Sequence, residues 1–104
     1  MNASVAIPVL PMSAKDDEDL CRMVDEVIAY IKSTGLHYVV GPFETTIESD
    51  NLDQLMDIVK ECQHVAVRAG AKQVCSYIKV DYRPESDILS IDKKIGKYSQ
   101  TAHE

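Results

Sequence analysis

The sequence predicts a single α+β domain in which two helices cover one face of a four-stranded antiparallel sheet. Two stretches with apolar residues at helical spacing alternate with segments rich in β-branched residues, so the elements follow the order β-α-β-β-α-β. The two halves echo each other, because Thr34-Gly35-Leu36 and Ala69-Gly70-Ala71 each close a helix just before a strand. This order is typical of the split-βαβ, ferredoxin-like arrangement, and right-handed crossovers give the spatial strand order fourth, first, third, second.

Length, charge and cysteine content limit the classes of function. A chain of 104 residues is one domain, residues 1–104, with a modest core. Its net charge of −6 makes nucleic acid and an anionic membrane surface unfavourable partners. No apolar run approaches the roughly 20 residues of a membrane span, and the amino terminus does not resemble a signal peptide. Cys21, Cys62 and Cys75 are odd in number and far apart, which fits reduced thiols and a cytoplasmic location.

The first strand is expected over residues 3–10, and the first helix follows it. Pro8 cannot donate to a strand ladder, so we expect a bulge or an unpaired position there, and Pro11 should end the strand. The acidic residues 16–19 suit the first turn of a helix, and Gly35 suits its end. The helix has one apolar stripe, formed by Leu20, Met23, Val24, Val27, Ile28 and Ile31.

A hairpin is expected next, between a second strand at residues 36–40 and a third at residues 43–48. Gly41-Pro42 marks the turn, because Gly adopts backbone angles that other residues avoid and Pro fixes its own φ. Alternate residues of a strand face opposite ways. One face of the third strand therefore carries Glu44, Thr46 and Glu48, and the other carries Phe43, Thr45 and Ile47. Two carboxylates on one face of a central strand must meet water, a partner subunit or a ligand.

A second helix, a fourth strand and a short final helix complete the prediction. Asp50 is the expected N-cap of the second helix, and Gly70 ends it. Its stripe is Leu52, Leu55, Met56, Val59, Cys62, Gln63 and Ala66. The fourth strand is expected over residues 74–82. The final helix is predicted from the helical spacing of Ile88, Ile91, Ile95 and Tyr98.

With both long helices on one face of the sheet, the other face is expected to be uncovered. It should carry Ala6, Pro8, Leu10, Thr46, Glu48, Cys75, Tyr77 and Lys79. Apolar surface of this extent is rarely left in water, so we expect copies of the chain to dimerise sheet to sheet. This association should bury Pro8, Thr46 and Tyr77.

Five segments of the chain resemble the small thiamine-binding protein family. They are Val-Ala-Ile-Pro-Val-Leu-Pro-Met at 5–12, Tyr-Val-Val-Gly-Pro-Phe-Glu-Thr-Thr-Ile-Glu at 38–48, Ala-Gly-Ala at 69–71, Ser-Tyr-Ile-Lys at 76–79 and Leu-Ser-Ile-Asp-Lys-Lys-Ile-Gly-Lys-Tyr at 89–98. The segment at 41–48 is the most specific. The resemblance implies a ferredoxin-like fold, pairing through the sheets, often as dimers of dimers, and non-catalytic binding of thiamine or its hydroxymethylpyrimidine portion. No other cofactor is implied.

The residues of the hairpin suit such a ligand. Thiamine carries a thiazolium cation, which needs a carboxylate or an aromatic face, and an aminopyrimidine, which a carboxylate can pair with. The candidate ligand-binding residues are Glu44, Thr45, Thr46, Glu48 and Tyr77. We expect the ligand at or beside residues 43–48, close to a subunit interface, with Glu48 pairing a cationic or amino group. A pocket on the Thr45 side, between sheet and helices, is the alternative.

Structural roles stay open for the same residues. Glu44 and Glu48 could be solvated acids or could pair with Lys79 across an interface, and Tyr77 could pack there. Phe43, the only phenylalanine, is expected in the core. His37, His64 and His103 lack the spacing of a metal site, and no Cys75 nucleophile, Ser/His/Asp set or phosphate loop is predicted.

Two other classes of function remain open. The chain could be an oligomeric structural or regulatory protein that associates through its exposed sheet face and has no small-molecule ligand. It could also be a small enzyme that uses Glu48 as a base, although no catalytic set of residues supports this.

Overall fold

A computed structural model describes the backbone of residues 1–101 and the side chains of residues 1–96. Its elements are β1 (Ala3–Ile7), β2 (Val9–Met12), α1 (Asp17–Ser33), β3 (Tyr38–Val40), β4 (Thr45–Ser49), α2 (Leu52–Arg68), β5 (Gln73–Ser76), β6 (Lys79–Tyr82) and α3 (Ile91–Thr101). The predicted α+β, ferredoxin-like fold with a short carboxy-terminal helix is confirmed. None of the described helices is long and apolar enough to cross a membrane.

The main sheet has the strand order β3-β4-β1-β6, as the crossover rule predicts, and all of its pairs are antiparallel. A separate ladder joins β2 to β5. The two ladders share one register, because Ala6 pairs with Lys79 and Val9 pairs with Ser76, three residues further along each strand. The break between them coincides with Pro8, which has no N–H to donate. The predicted unpaired position is therefore confirmed. The predicted end at Pro11 is wrong, since β2 continues to Met12.

Helix α1 begins and ends where its sequence signals lie. The Asp16 side chain accepts a hydrogen bond from the Asp19 N–H at 2.8 Å, which is the bonding pattern of an N-cap. Met23, Val27 and Ile31 are buried, and Val27 and Ile31 belong to the core cluster with the sheet, while Leu20 lies at the exposed margin of the stripe. Gly35 has a φ of +76°, the left-handed conformation expected just after a helix.

Helix α2 differs from its prediction at two positions. Its N-cap is Asn51, whose side chain accepts from the Gln54 N–H at 3.0 Å, and not Asp50. The helix starts one residue later than predicted because Asn51 itself has the extended backbone that an N-cap requires. Met56 is exposed, and Ile58 fills the inward position between Leu55 and Cys62 instead.

The core lies between the sheet and these two helices. Val5, Ile7 and Ile47 of the central strands pack against α1 and α2 residues that include Ile31, Leu55 and Cys62. All six are almost completely inaccessible to water. Removal of such a side chain to alanine typically costs about 2–5 kcal/mol, so this layer fixes the strands that carry the hairpin.

The opposite face of the sheet is not fully uncovered, which corrects the prediction. Helix α3 lies over part of it, and Ile88, Ile91, Ser4 and Glu48 are buried there. Pro8 is also buried within the single chain. The predicted contribution of Tyr98 to the apolar side of α3 lies outside the described side chains. Ala6, Thr46 and Lys79 remain on the part of this face that α3 leaves accessible.

Candidate functional site

The turn at residues 41–44 separates two cavities. Its backbone closes through a hydrogen bond from the Gly41 N–H to the Glu44 carbonyl oxygen at 2.8 Å. A Cβ atom at position 41 would lie 2.9 Å from that oxygen, so the turn requires glycine there. β4 starts only at Thr45, and Phe43 therefore projects from the turn with 88% of its surface exposed. The prediction of Phe43 in the core is wrong, because strand alternation does not extend into the turn.

The first cavity, the helix-side cleft, has a volume of about 180 Å³. It is lined by Val24, Val27, Ile28 and Ile31 of α1, by residues 7–10, and by the hairpin residues 40–45. Thr45, which is 8% exposed, turns its side chain toward this cleft. The lining is apolar except for Glu44 and Thr45, so the cleft has few groups that could orient a polar ligand.

The second cavity, the open-face groove, lies on the α3 side of the sheet and has two lobes. The apolar lobe, of about 360 Å³, is lined by the turn residues 41–43, Val39, Ile91 and Ile95. The polar lobe, of about 190 Å³, is lined by Ser4, Ala6, Lys79, Asp81 and Lys94. Glu44 and Thr46 line both lobes and mark the boundary between them.

The polar lobe brings together charges of both signs. Lys94 and Asp81 form an ion pair at 3.4 Å across the lobe. Neither Glu44 nor Lys79 has an ion-pair partner among the side chains of residues 1–96. Within residues 1–96 the lobe therefore offers a carboxylate and an ammonium without ion-pair partners, together with the hydroxyls of Ser4 and Thr46, a set that can both donate and accept hydrogen bonds.

Glu48 supports the wall of the groove. Its Oε2 accepts a hydrogen bond from the Ile91 N–H at 3.1 Å, at the start of α3, and only 6% of the residue is exposed. Ser90 caps the same helix by accepting from the Lys93 N–H, and His37 lies 3.3 Å from Asp92. A carboxylate at a helix N-terminus is favourable because it faces the positive end of the helix dipole.

The structure brings together two of the five predicted site residues. Glu44 and Thr46 share the open-face groove, whereas Thr45 faces the helix-side cleft. Glu48 lies beneath the start of α3, and Tyr77, 70% exposed, lines neither cavity.

Several residues of the groove were not among the predicted site residues. Lys79 was expected on this face of the sheet, and strand register places it opposite Ala6, with Asp81 opposite Ser4. Alternation along the fourth strand puts Asp81 on the same face as Lys79, so it was a signal for Asp81. Lys94 and Ile95 come from α3, and nothing in the sequence indicated which surface that helix covers.

The cysteines differ in their surroundings. All three cysteines are free, with Cys62 buried and Cys21 and Cys75 exposed. Burial raises the pKa of the Cys62 thiol to about 11, because the thiolate is poorly solvated in the core. Within the part of the chain that the structure describes, no group of three or more His, Cys, Asp or Glu residues could hold a metal ion.

Comparison with known proteins identifies the family. The family model of the thiamine-binding protein matches residues 5–99, which include both strands of the hairpin and most of α3. The chain belongs to the thiamine-binding protein family. The UPF0045 protein of Clostridium perfringens is 41% identical to it over 95 residues, which cover 91% of this chain and 95% of that protein.

Solved structures of similar proteins share the fold of this family member. A domain of unknown function from Bacillus cereus is 37% identical, with a TM-score of 0.81 over 94% of this chain and 90% of that one. A candidate thiamine biosynthesis or salvage protein from Thermotoga maritima is 32% identical, with a TM-score of 0.78 over 94% of this chain and 99% of that one.

Proposed function

We propose that this chain binds thiamine or its hydroxymethylpyrimidine portion in the open-face groove and catalyses no reaction. The observation that carries the proposal is the position of Glu44 and Thr46 where a polar and an apolar lobe meet. Thiamine also has two parts, since a methylene bridge joins its hydrogen-bonding aminopyrimidine to a thiazolium cation whose ring has no N–H. Membership of the thiamine-binding protein family supports the ligand class.

The polar lobe suits the aminopyrimidine. The Glu44 carboxylate can accept from the amino group and from a protonated ring nitrogen, the strongest type of hydrogen bond available here. Lys79 and the hydroxyls of Ser4 and Thr46 can donate to an unprotonated ring nitrogen or to the hydroxymethyl oxygen. The volumes also suit the ligand, because sites that bury a whole small molecule usually occupy about 300–1,000 Å³, and the apolar lobe alone has about 360 Å³.

A binding role fits the groove better than an enzymatic one. The described residues that line it include no histidine or cysteine, and no hydrogen bond joins the Ser4 or Thr46 hydroxyl to a basic side chain among them, so no activated nucleophile is assembled there. Glu48, the base of the enzymatic alternative, is buried under α3, so its carboxylate is not accessible from the groove. We place this binding function in the cytoplasm, which the odd number and wide spacing of the cysteines support.

Calorimetric titration tests the proposal. Thiamine and hydroxymethylpyrimidine should bind the wild-type chain, and riboflavin, an unrelated vitamin, should not. Glu44→Gln keeps size and hydrogen bonding but removes the charge, so both ligands should bind roughly 1.5–3 kcal/mol more weakly, about one to two decades in Kd. Glu85→Gln, in an exposed loop away from the groove, is the matched control. Equal losses in the two variants, or no binding to the wild-type chain, would contradict the proposal.

Self-association through the same sheet face is the second part of the proposal. Leu10, Met12 and Tyr77 are exposed apolar side chains of the β2–β5 end of the sheet, and Leu10 lies directly opposite Cys75. A homodimer or homotetramer that covers this patch would place subunit contacts beside the groove. If association were the only function, sedimentation would show a stable oligomer while neither thiamine nor hydroxymethylpyrimidine bound it.

A further inference from the structure

Phe43 is the most exposed large apolar side chain among residues 1–96. Burial of an aromatic ring stabilises a fold, and Phe43 contributes little of this free energy because it is exposed. Packing within the single chain therefore does not explain why a phenylalanine is present here. The turn that carries it is nevertheless well defined, because the Gly41 N–H bonds to the Glu44 carbonyl and leaves no room for a Cβ at position 41. The turn thus fixes the backbone of an aromatic residue that borders both the groove and the helix-side cleft.

The residues around Phe43 favour a ligand that is both apolar and positively charged. Val39, Pro42, Ile91 and Ile95 make the apolar lobe hydrophobic, and Glu44 is the only charged residue among its described lining. One aromatic face and one carboxylate in an otherwise apolar lobe are the two features that stabilise an organic cation. A neutral polar group would find few hydrogen-bonding partners in this lobe.

We propose that Phe43 is the residue that selects the thiazolium cation of thiamine, with the cation against its ring in the apolar lobe and the aminopyrimidine in the polar lobe. This assignment rests on the proposed function and extends it from a ligand class to a residue that determines specificity. The thiazolium nitrogen is bonded to carbon on all sides and has no hydrogen to donate. Its charge can therefore be recognised only through an electrostatic field, which an aromatic face and a nearby carboxylate supply.

The α3 wall strengthens this recognition. Ile91 and Ile95 of α3 line the apolar lobe, and the Glu48 carboxylate accepts a hydrogen bond at the start of that helix. Cation–π attraction increases when water is excluded, so the ring discriminates best with α3 against the sheet. Hydroxymethylpyrimidine lacks the thiazolium ring and gains nothing from Phe43.

Two ligand pairs and three variants test the assignment by calorimetry. The first pair is thiamine and hydroxymethylpyrimidine, and the second is the N-methylated thiazolium half of thiamine and its neutral thiazole counterpart, which differ mainly in charge. Phe43→Leu should weaken thiamine and the thiazolium salt about 5- to 30-fold, and hydroxymethylpyrimidine and the neutral thiazole by less than about twofold. Phe43→Tyr should retain the wild-type preference. Tyr82→Leu, an exposed aromatic position outside the groove, should change neither ligand.

The outcomes separate this assignment from the function on which it rests. If the wild-type chain binds neither thiamine nor hydroxymethylpyrimidine, both fail together. If both ligands bind and Phe43→Leu weakens them equally, or weakens neither, the function stands and the assignment is overturned. The assignment also fails if Phe43→Leu changes the sedimentation coefficient of the protein while thiamine affinity stays constant, because Phe43 would then be a subunit contact.

Discussion

The carboxylate of Glu48, in the central strand β4, accepts a hydrogen bond from the backbone N–H of Ile91, the first residue of α3. This contact joins the sheet to the helix that walls the open-face groove. It also gives a buried carboxylate a partner, which a charge in the interior requires. The two acids that strand alternation assigns to one face thus differ in surroundings, since Glu48 supports the site and Glu44 is exposed to it.

Glu48→Gln should loosen α3. The amide can still accept from the Ile91 N–H but loses the charge that faces the helix dipole, so we expect a loss of about 1 kcal/mol in the free energy of unfolding. Backbone amides of residues 92–96 should also exchange hydrogen faster, which mass spectrometry measures. Glu44→Gln, at an exposed position, should leave both quantities nearly unchanged. If Glu48→Gln weakened thiamine binding without changing the exchange of α3, Glu48 would be the ligand contact that the sequence predicted.

Thr45→Val and Thr46→Val report which side of β4 meets the ligand. Each substitution keeps the shape of the side chain and replaces its hydroxyl with a methyl group. Because Thr46 lines the groove and Thr45 lines the helix-side cleft, Thr46→Val should weaken thiamine binding by about 1 kcal/mol and Thr45→Val should have little effect. Titration calorimetry on both variants, with urea denaturation to confirm equal folding, makes the comparison. The reverse order of effects would move the ligand to the helix-side cleft.

The thiols should differ strongly in reactivity. At pH 8, Cys21 should react quickly with a disulfide reagent because it is exposed, and Cys75, exposed in the single chain, should react quickly once the proposed sheet-face assembly is dissociated. Cys62 should react only after denaturation, since a thiol pKa of about 11 leaves roughly one thousandth of it as thiolate and the residue is buried. Three fast thiols in the native protein would contradict this interpretation.

The raised pKa of Cys62 also has a consequence for stability. The folded state keeps the Cys62 proton up to about pH 11, whereas the unfolded chain releases it near the ordinary value of 9.0. The unfolded state therefore binds fewer protons between these values, and the free energy of unfolding should fall as pH rises from about 9 to about 11. Chemical denaturation at several pH values measures this slope.

The fold was predictable because its signals are local and repeated. Apolar spacing identified α1 and α2, and the glycines after them have the backbone angles that their position implied, with φ of +76° at Gly35 and +118° at Gly70. Pro8 located the break in the first strand, since a missing N–H interrupts a ladder wherever it occurs.

The site was less predictable because it depends on contacts between distant segments. Alternation correctly assigned Thr45 and Thr46 to opposite faces, but it could not show that α3 would cover Glu48. Alternation also fails in a turn, where Phe43 projects into water although its position in the sequence suggested the core. The periodicity of a short helix identifies its apolar side and leaves its docking position undetermined, as Ile91 and Ile95 illustrate.

Two glycines should respond to alanine with opposite signs. Gly35 has a left-handed backbone, in which a Cβ is strained, so Gly35→Ala should lower the free energy of unfolding by about 1–2 kcal/mol. Gly96 lies within α3, and a Cβ there meets no described atom within 4 Å, so Gly96→Ala should stabilise the helix by about 0.5–1 kcal/mol. Urea denaturation of both variants measures the difference. Equal signs would show that the backbone at one of these positions differs from the structure.

Tyr77→Glu should dissociate the proposed assembly. Tyr77 is 70% exposed beside the break in the sheet, two residues after Cys75, which pairs with Leu10. A stable interface usually covers about 800 Å² on each partner, and a buried unpaired carboxylate in it is costly, so sedimentation should shift from an oligomer to a monomer. Met56→Glu places the same charge on an exposed apolar residue of α2, in the helical layer, and should leave the oligomer intact.

The two variants together locate the interface. A wild-type protein that is monomeric at micromolar concentration would contradict the proposed assembly. Dissociation by Met56→Glu alone would show that the interface lies in the helical layer. Dissociation by Tyr77→Glu alone would support the sheet face, and thiamine affinity measured on that monomer would then show whether a second subunit contributes to the groove. An unchanged affinity would mean that Glu44, Thr46 and the α3 wall of one chain form the whole site.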